Sequence, residues 1–311
     1  MICDNLYSLR KQHGFTQEEV ADSMALWGKL IALKLNIPFV SSTTTFAFNQ
    51  HSAKIMKQGL GDLAKVMFQM GKAKKHIKQL QAKGYPVKSV LDIIQNDNET
   101  HTIVYTSPEF QPCSETFSDK YVFVGPSIAA GEVAMSSTRQ RQEKTVYISM
   151  GTVNNQMKDF YHNCIEALRD SNYHVIMSVG KEMDLVLFAD CPDNIEIHNY
   201  VNQLKVLQNV DVFLTHCGMN SVSEGLYYQV PLIMYPQTNE QKGVAYRVNE
   251  FSAGVYLEKN SASAIREAVD KVLGNPIYKE TAGKIAESFY KCRGSKAAVE
   301  KIMEVIGGER D

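Results

Sequence analysis

Three observations predict an α/β protein of two domains with parallel sheets. The chain has 311 residues, more than one core usually organises, because single cores stop growing at about 250 to 300 residues. Short β-branched and aromatic runs alternate with stretches of helical period, the pattern of βα units whose strands are covered by helices on both faces. The alternation is interrupted over 129–143, where AAGEVAMSSTRQRQE has no sustained apolar period. The expected division is a start segment over 1–21, a first domain over 22–130, a linker over 131–143 and a second domain over 144–311.

The first elements expected are a helix from about Ala25 to Leu35, a strand over Pro38–Ser41, and a long amphipathic stretch from Lys54 to Lys83. Strands near Thr102–Tyr105 and Tyr121–Val124 follow. After the linker come strand Thr145–Ser149, helix Met157–Asp170, strands His174–Val179 and Asn194–Ile197, and a short helix over Gln203–Leu207. Strand Asp211–Leu214, a helix opening near Met219 and strand Pro231–Met234 come next, then helices over 240–250, 261–273 and 276–291. This second half reads as a doubly wound, Rossmann-like domain.

Hydrophobic residues at 44%, charged residues at 22% and a formal net charge of -1 are globular values, and they exclude a disordered or strongly polyanion-seeking chain. Nucleic acid is not an expected partner. No apolar run approaches the ~20 residues of a spanning helix, and MICDNLYSLRK has no signal-peptide core, so a cytoplasmic protein without a membrane partner is expected. The six cysteines lie far apart with no C-x-x-C, which predicts reduced thiols and no structural zinc. The small total hides an asymmetry: residues 1–88 carry 13 Lys and Arg against 5 Asp and Glu, and the remainder 20 against 29. The basic excess lies along 54–83, where it reads as a solvated helix face.

Chemistry concentrates where strands meet helices. Thr215-His216-Cys217-Gly218-Met219-Asn220-Ser221 follows a buried strand and opens a helix, where free N–H groups and the helix dipole favour a phosphate. Asn220, Ser221 and His216 add side-chain donors, and Glu224 stands one turn further on at the same mouth. Ser149-Met150-Gly151-Thr152 repeats the geometry after the domain's first strand. Tyr200-Val201-Asn202-Gln203 offers an aromatic face and nearby polar groups for a base. Glu240-Gln241 sets a carboxylate beside an amide that can grip vicinal hydroxyls.

Together these residues spell Y-V-N-Q-L-x-V-L-(x)6-L-T-H-C-G-M-N-S-x-x-E-(x)5-V-P-(x)4-P-(x)3-E-Q. That string resembles the donor-binding signature of the family 1 glycosyltransferases, the UDP-glycosyltransferases of GT-B fold, and in its short Gln203-to-His216 spacing their bacterial macrolide-type branch. The resemblance extends from about Asp22 to the end. It implies two Rossmann-like domains, with the final helices packing back toward the first. It implies that Tyr200 stacks on uracil, with Gln203 and the Val201 backbone flanking the base. Glu224 would hold the ribose, and His216, Asn220, Ser221 and Thr152 the diphosphate, alongside Ser149, Gly151 and Gly218 of the two turns. Glu240 and Gln241 would hold the sugar. The implied reaction moves a sugar from a UDP-sugar, with inversion, to a hydroxyl of a small hydrophobic acceptor. Two positions depart from the pattern, Asn202 where Pro is usual and Gln229 where Gly precedes Val-Pro.

The family's opening Gly-His-x-Asn-Pro loop, whose His takes the acceptor proton, has no counterpart, so an incomplete first domain, doubtful turnover and self-association through its apolar faces are expected. No general-base His is found. His13 and His51 are the first candidates, and Asp22 matches the Asp that orients the base in some members. Leu9–Ala21 instead resembles the first part of a Cro-type helix-turn-helix, with Thr16 and Glu19 as a capping box. With no Asp-x-Asp triplet, no metal cofactor is expected. Two other readings are a non-catalytic nucleotide-sugar binder or regulator and a UDP-sugar epimerase.

Overall fold

The computed structural model describes residues 20–22, 26–49, 51–52, 77–87, 98–128, 143–152 and 156–307. Residues 131–142 of the expected linker, residues 54–76 of the basic stretch, His13, Thr16 and Glu19 fall outside these residues. The chain divides into two compact units, one formed by Met1–Ser127 with Lys291–Asp311, the other by Ile128–Tyr290.

The first unit holds a parallel four-stranded sheet in the order β1 (Val20–Asp22), β2 (Val40–Thr43), β3 (His101–Val104), β4 (Tyr121–Phe123), with helix α1 (Leu26–Leu35) between the first two strands. β1 takes in the last two residues of the expected start segment. Val20 and Ala21, at the end of the helix-turn-helix-like segment, pair in parallel with Val40 and Ser41, and Asp22 with Ser42. β2 lies two residues later than expected, which places Val40, 1% exposed, in a core with Ile103 and Val124. Residues 77–82, within the basic stretch, are helical.

That core is closed by α8 (Gly294–Gly307), which presents Ala297, Ala298 and Ile302 to β2, β3 and Val124. Lys301, buried on the same helix, donates from Nζ to the Asp119 carbonyl at 3.1 Å and pairs with Glu304. The local period predicts no helix past residue 291, although the resemblance implies final helices packing back toward the first domain; by packing, α8 belongs to the first unit.

The second unit is a parallel six-stranded sheet, built from β5 (Lys144–Ser149), β6 (Tyr173–Ser178), β7 (Ile195–His198), β8 (Val212–Thr215), β9 (Leu232–Met234) and β10 (Gly254–Tyr256). Their spatial order is β7-β6-β5-β8-β9-β10. Helices α2 (Lys158–Leu168), α3 (Gln203–Leu207), α4 (Met219–Tyr227), α5 (Asn239–Glu250), α6 (Ala262–Gly274) and α7 (Ile277–Tyr290) connect and flank them. Val146, Ile148, Val175, Met177, Val212 and Leu214 face α2 and α6, whose Phe160, Tyr161, Leu168, Ile265 and Val269 complete the main core. The alternate residues face the other way, where Gly225 of α4 lies against Phe213 and Leu232. β10 was missed from sequence; three residues are too few to show a period.

The strand order reverses between β5 and β8. In sheets wound this way ligands bind outside the carboxyl ends of the strands at that reversal. Among the described residues no helix is long and apolar enough to cross a membrane, and Cys113, Cys164, Cys191, Cys217 and Cys292 are free thiols.

Candidate donor site at the switch point

Ser149 and Thr215, the last residues of β5 and β8, are register partners. The turns leaving these strands therefore start side by side, and both wrap one imidazole. A Cβ built on Gly151 would come within 2.6 Å of Cε1 of His216, and one built on Gly218 within 2.6 Å of its Nε2. Gly151 also has φ +78, a conformation costly to any residue with a side chain. Only glycine at both positions lets the ring lie there. Cys217, fully buried between His216 and Gly218, takes φ +65, a strained geometry held by its surroundings and common where a chain is shaped for a ligand.

Burial lowers the His216 pKa below the usual histidine value; the nearby Ser149 backbone pulls weakly the other way. Its buried Nδ1 has no hydrogen-bond partner of good geometry among the described residues. The ring is thus neutral near pH 7. Beside it, Gly218 begins α4 without a side chain to cap it, so no N-cap oxygen occupies the N–H groups of the first turn. Asn220 is exposed on that turn and Ser221 half-buried; Thr152 lies exposed past Gly151.

A second cluster adjoins the first. Gln203 opens α3, its Nε2 donates to Oε2 of Glu224 at 2.6 Å, and Oγ of Ser221 lies 3.4 Å from the same nitrogen. The Gln203 Oε1 accepts from the Tyr147 hydroxyl at 3.1 Å. Tyr147 is a residue the sequence reading did not select; its aromatic character at mid-strand signalled only core. Asn202 accepts from the Lys205 N–H at 3.2 Å and so caps α3, a task that proline could not perform and that explains one departure from the family pattern.

Tyr200 is 67% exposed, with the Lys181 ammonium 5.7 Å from its ring centroid. Its loop, which carries half-buried Val201, is tied to the loop after β6 by Asn199, whose Nδ2 donates to the carbonyls of Gly180 at 2.9 Å and Met183 at 2.6 Å. Glu240 is exposed in the first turn of α5, at the carboxyl edge of β9. Gln241 has another duty: its Oε1 accepts from the N–H groups of Gln237 at 2.7 Å and Thr238 at 3.1 Å, completing a capping box. Its oxygen is therefore committed to the helix end. In the other unit Asp22 ends β1, and His51 is exposed beside Asn49, whose side chain accepts from the His51 N–H.

Gln229, the second departure, stands at φ +59 just past α4. Its N–H reaches the Leu226 carbonyl at 2.9 Å and the Val230 N–H reaches Gly225 at 2.9 Å. This is a Schellman helix end, whose left-handed position normally favours glycine.

Comparison with known proteins places the chain in a lineage. Residues 163–304 match the Erythromycin biosynthesis protein CIII-like C-terminal domain. The chain is 36% identical over 296 residues to an uncharacterized UDP-glucosyltransferase, YojK, of Bacillus subtilis, covering 92% of this chain and 72% of that protein. It is 34% identical over 288 residues to the NDP-glycosyltransferase YjiC of Bacillus licheniformis, covering 90% and 70%. The crystal structure of CalG4, the calicheamicin glycosyltransferase, superposes with a TM-score of 0.78 at 25% identity, over 94% of this chain and 76% of that one. These relatives favour neither the epimerase nor the non-catalytic reading. Sharing more than a third of its residues with such a protein over nine-tenths of its own length, this chain belongs to the family 1 UDP-glycosyltransferases of GT-B fold.

Proposed function

We propose that the second unit binds a UDP-sugar across the β5–β8 switch point and that the protein transfers the sugar, with inversion, to a hydroxyl of a small hydrophobic acceptor. The observation that carries the donor reading is the His216 imidazole seated against Gly151 and Gly218 beside the uncapped start of α4. A ring N–H and the first-turn N–H groups face the place where negative charge grows on the diphosphate as the bond to the anomeric carbon breaks. Fixed donors at such a place stabilise the transition state without reorganising. Asn220, Ser221 and Thr152 complete the diphosphate seat, Glu224 takes the ribose hydroxyls, and Tyr200 stacks on the base with Gln203 and Val201 at its edge. Glu240 grips the sugar, helped by the Gln241 amide nitrogen. Asp22 is assigned to orienting a base on the strength of the motif alone. With donors of this kind on the diphosphate the reaction needs no divalent metal. The acceptor class and inversion rest on the likeness to the macrolide-type branch.

Calorimetry with UDP tests the donor site. His216→Ala should weaken binding by about 1 to 3 kcal/mol, the worth of a charge-assisted hydrogen bond; unchanged affinity refutes the assignment. Incubation of UDP-glucose with a panel of phenols, with and without EDTA, tests transfer, and NMR of the product's anomeric proton reads inversion.

A further inference from the structure

Tyr147 is the largest buried polar side chain next to the donor site, 1% exposed in the middle of β5. Its ring stacks on Phe213 of β8, with centroids 4.7 Å apart and planes at 22°, so its position is set by packing across the switch point rather than by any ligand. The hydroxyls of Ser149 and Ser178 lie beside its own, and burial, partly offset by Ser149, pushes its pKa well above the usual phenol value. The phenol therefore keeps its proton and has it to donate in a hydrogen bond. It donates to Oε1 of Gln203 at 3.1 Å.

That bond anchors one end of an amide whose direction the carboxylate at its other end decides. A primary amide has one accepting end and one donating end. Glu224 only accepts, so the donating end must point toward it, and it meets Oε2 there at 2.6 Å while the phenol holds Oε1. Turned over, the amide would set its oxygen against a carboxylate, a repulsive contact. The order phenol, amide, carboxylate thus runs in one direction from a rigid strand to the residue assigned to the ribose.

We propose that Tyr147 is a positioning residue for the nucleotide: its buried hydroxyl fixes the Gln203 amide, and through it the Glu224 carboxylate, in the orientation that selects the ribose hydroxyls. This rests on the reading of Glu224 given above. The test compares UDP with 2′,3′-dideoxy-UDP by calorimetry in the wild type, Tyr147→Phe, Gln203→Ala and the double variant. The phenylalanine keeps the stack on Phe213, and thermal unfolding checks that each variant is folded. UDP affinity should fall roughly fivefold in Tyr147→Phe, the effect of one lost hydrogen bond, while dideoxy-UDP affinity stays unchanged. In the Gln203→Ala background the same change should have no further effect on either nucleotide, because the chain is already broken. A Tyr147→Phe protein that keeps the full wild-type preference, or loses affinity equally for both nucleotides, overturns the proposal while leaving the ribose assignment standing. A wild type that binds both nucleotides equally overturns the ribose assignment and the proposal with it.

Discussion

Alanine at Gly218 would set a methyl carbon 2.6 Å from Nε2 of His216, where ordinary contact begins at 3.4 Å. The backbone there, at φ -60 and ψ 136, suits any residue, so the whole cost is steric: about 1 to 3 kcal/mol for forcing a group into a packed site. Gly151→Ala meets the same ring, 2.6 Å from Cε1, and adds the left-handed backbone at φ +78, a further ~1 to 2 kcal/mol. Because one imidazole obstructs both methyls, removing it separates the two contributions. In a His216→Ala background Gly218→Ala should become nearly neutral, whereas Gly151→Ala should still cost ~1 to 2 kcal/mol. Thermal unfolding reads the difference at ~2 to 4 °C per kcal/mol for a unit of this size. Displacing the ring also removes its donor, so Gly218→Ala should weaken UDP binding about as much as His216→Ala does. Equal cost of Gly218→Ala with and without His216 would refute the seat described here, since independent sites add and neighbours do not.

Gln229→Gly relieves a left-handed residue at the end of α4 and should raise the unfolding temperature by ~2 to 4 °C, for about 1 kcal/mol, with no change in UDP affinity; an unchanged or lower temperature counts against the strain. Burial depresses the pKa values of both His216 and His101, the latter also through the Lys301 charge. The unfolded chain therefore binds more protons below about pH 6.5. Stability contributed by the neutral rings is present above that pH and is lost as pH falls through the depressed values; urea midpoints from pH 7.5 to 5 should drop, and drop less in His216→Ala. Glu224→Ala should abolish most of the preference for UDP over dideoxy-UDP, measured by competition, since the carboxylate is the acceptor for both ribose hydroxyls in this reading.

Much of the candidate site was legible in the chain itself, because a strand-to-helix turn is a contiguous object. A buried strand, a glycine, small polar residues and the start of a helix occur together in Leu214–Ser221 and again in Ile148–Thr152, and the alternation of strands and helices in the second unit follows from local period. What the turns do to each other was not legible. That His216 lies against glycines of two loops depends on the register of β5 against β8, which no local pattern encodes. Tyr147 reads as core until the packing of α3 brings Gln203 to its hydroxyl, and the capping duty of the Gln241 oxygen appears only once α5 is in place. Val20–Asp22 becomes a strand only through its pairing with β2, and the last helix joins the first unit only through the apolar face it shares with Val40 and Ile103. Spacing along a chain determines which groups a turn can present. Which groups meet across turns is decided by long-range pairing and burial, whose energy appears only when the distant partners are in place.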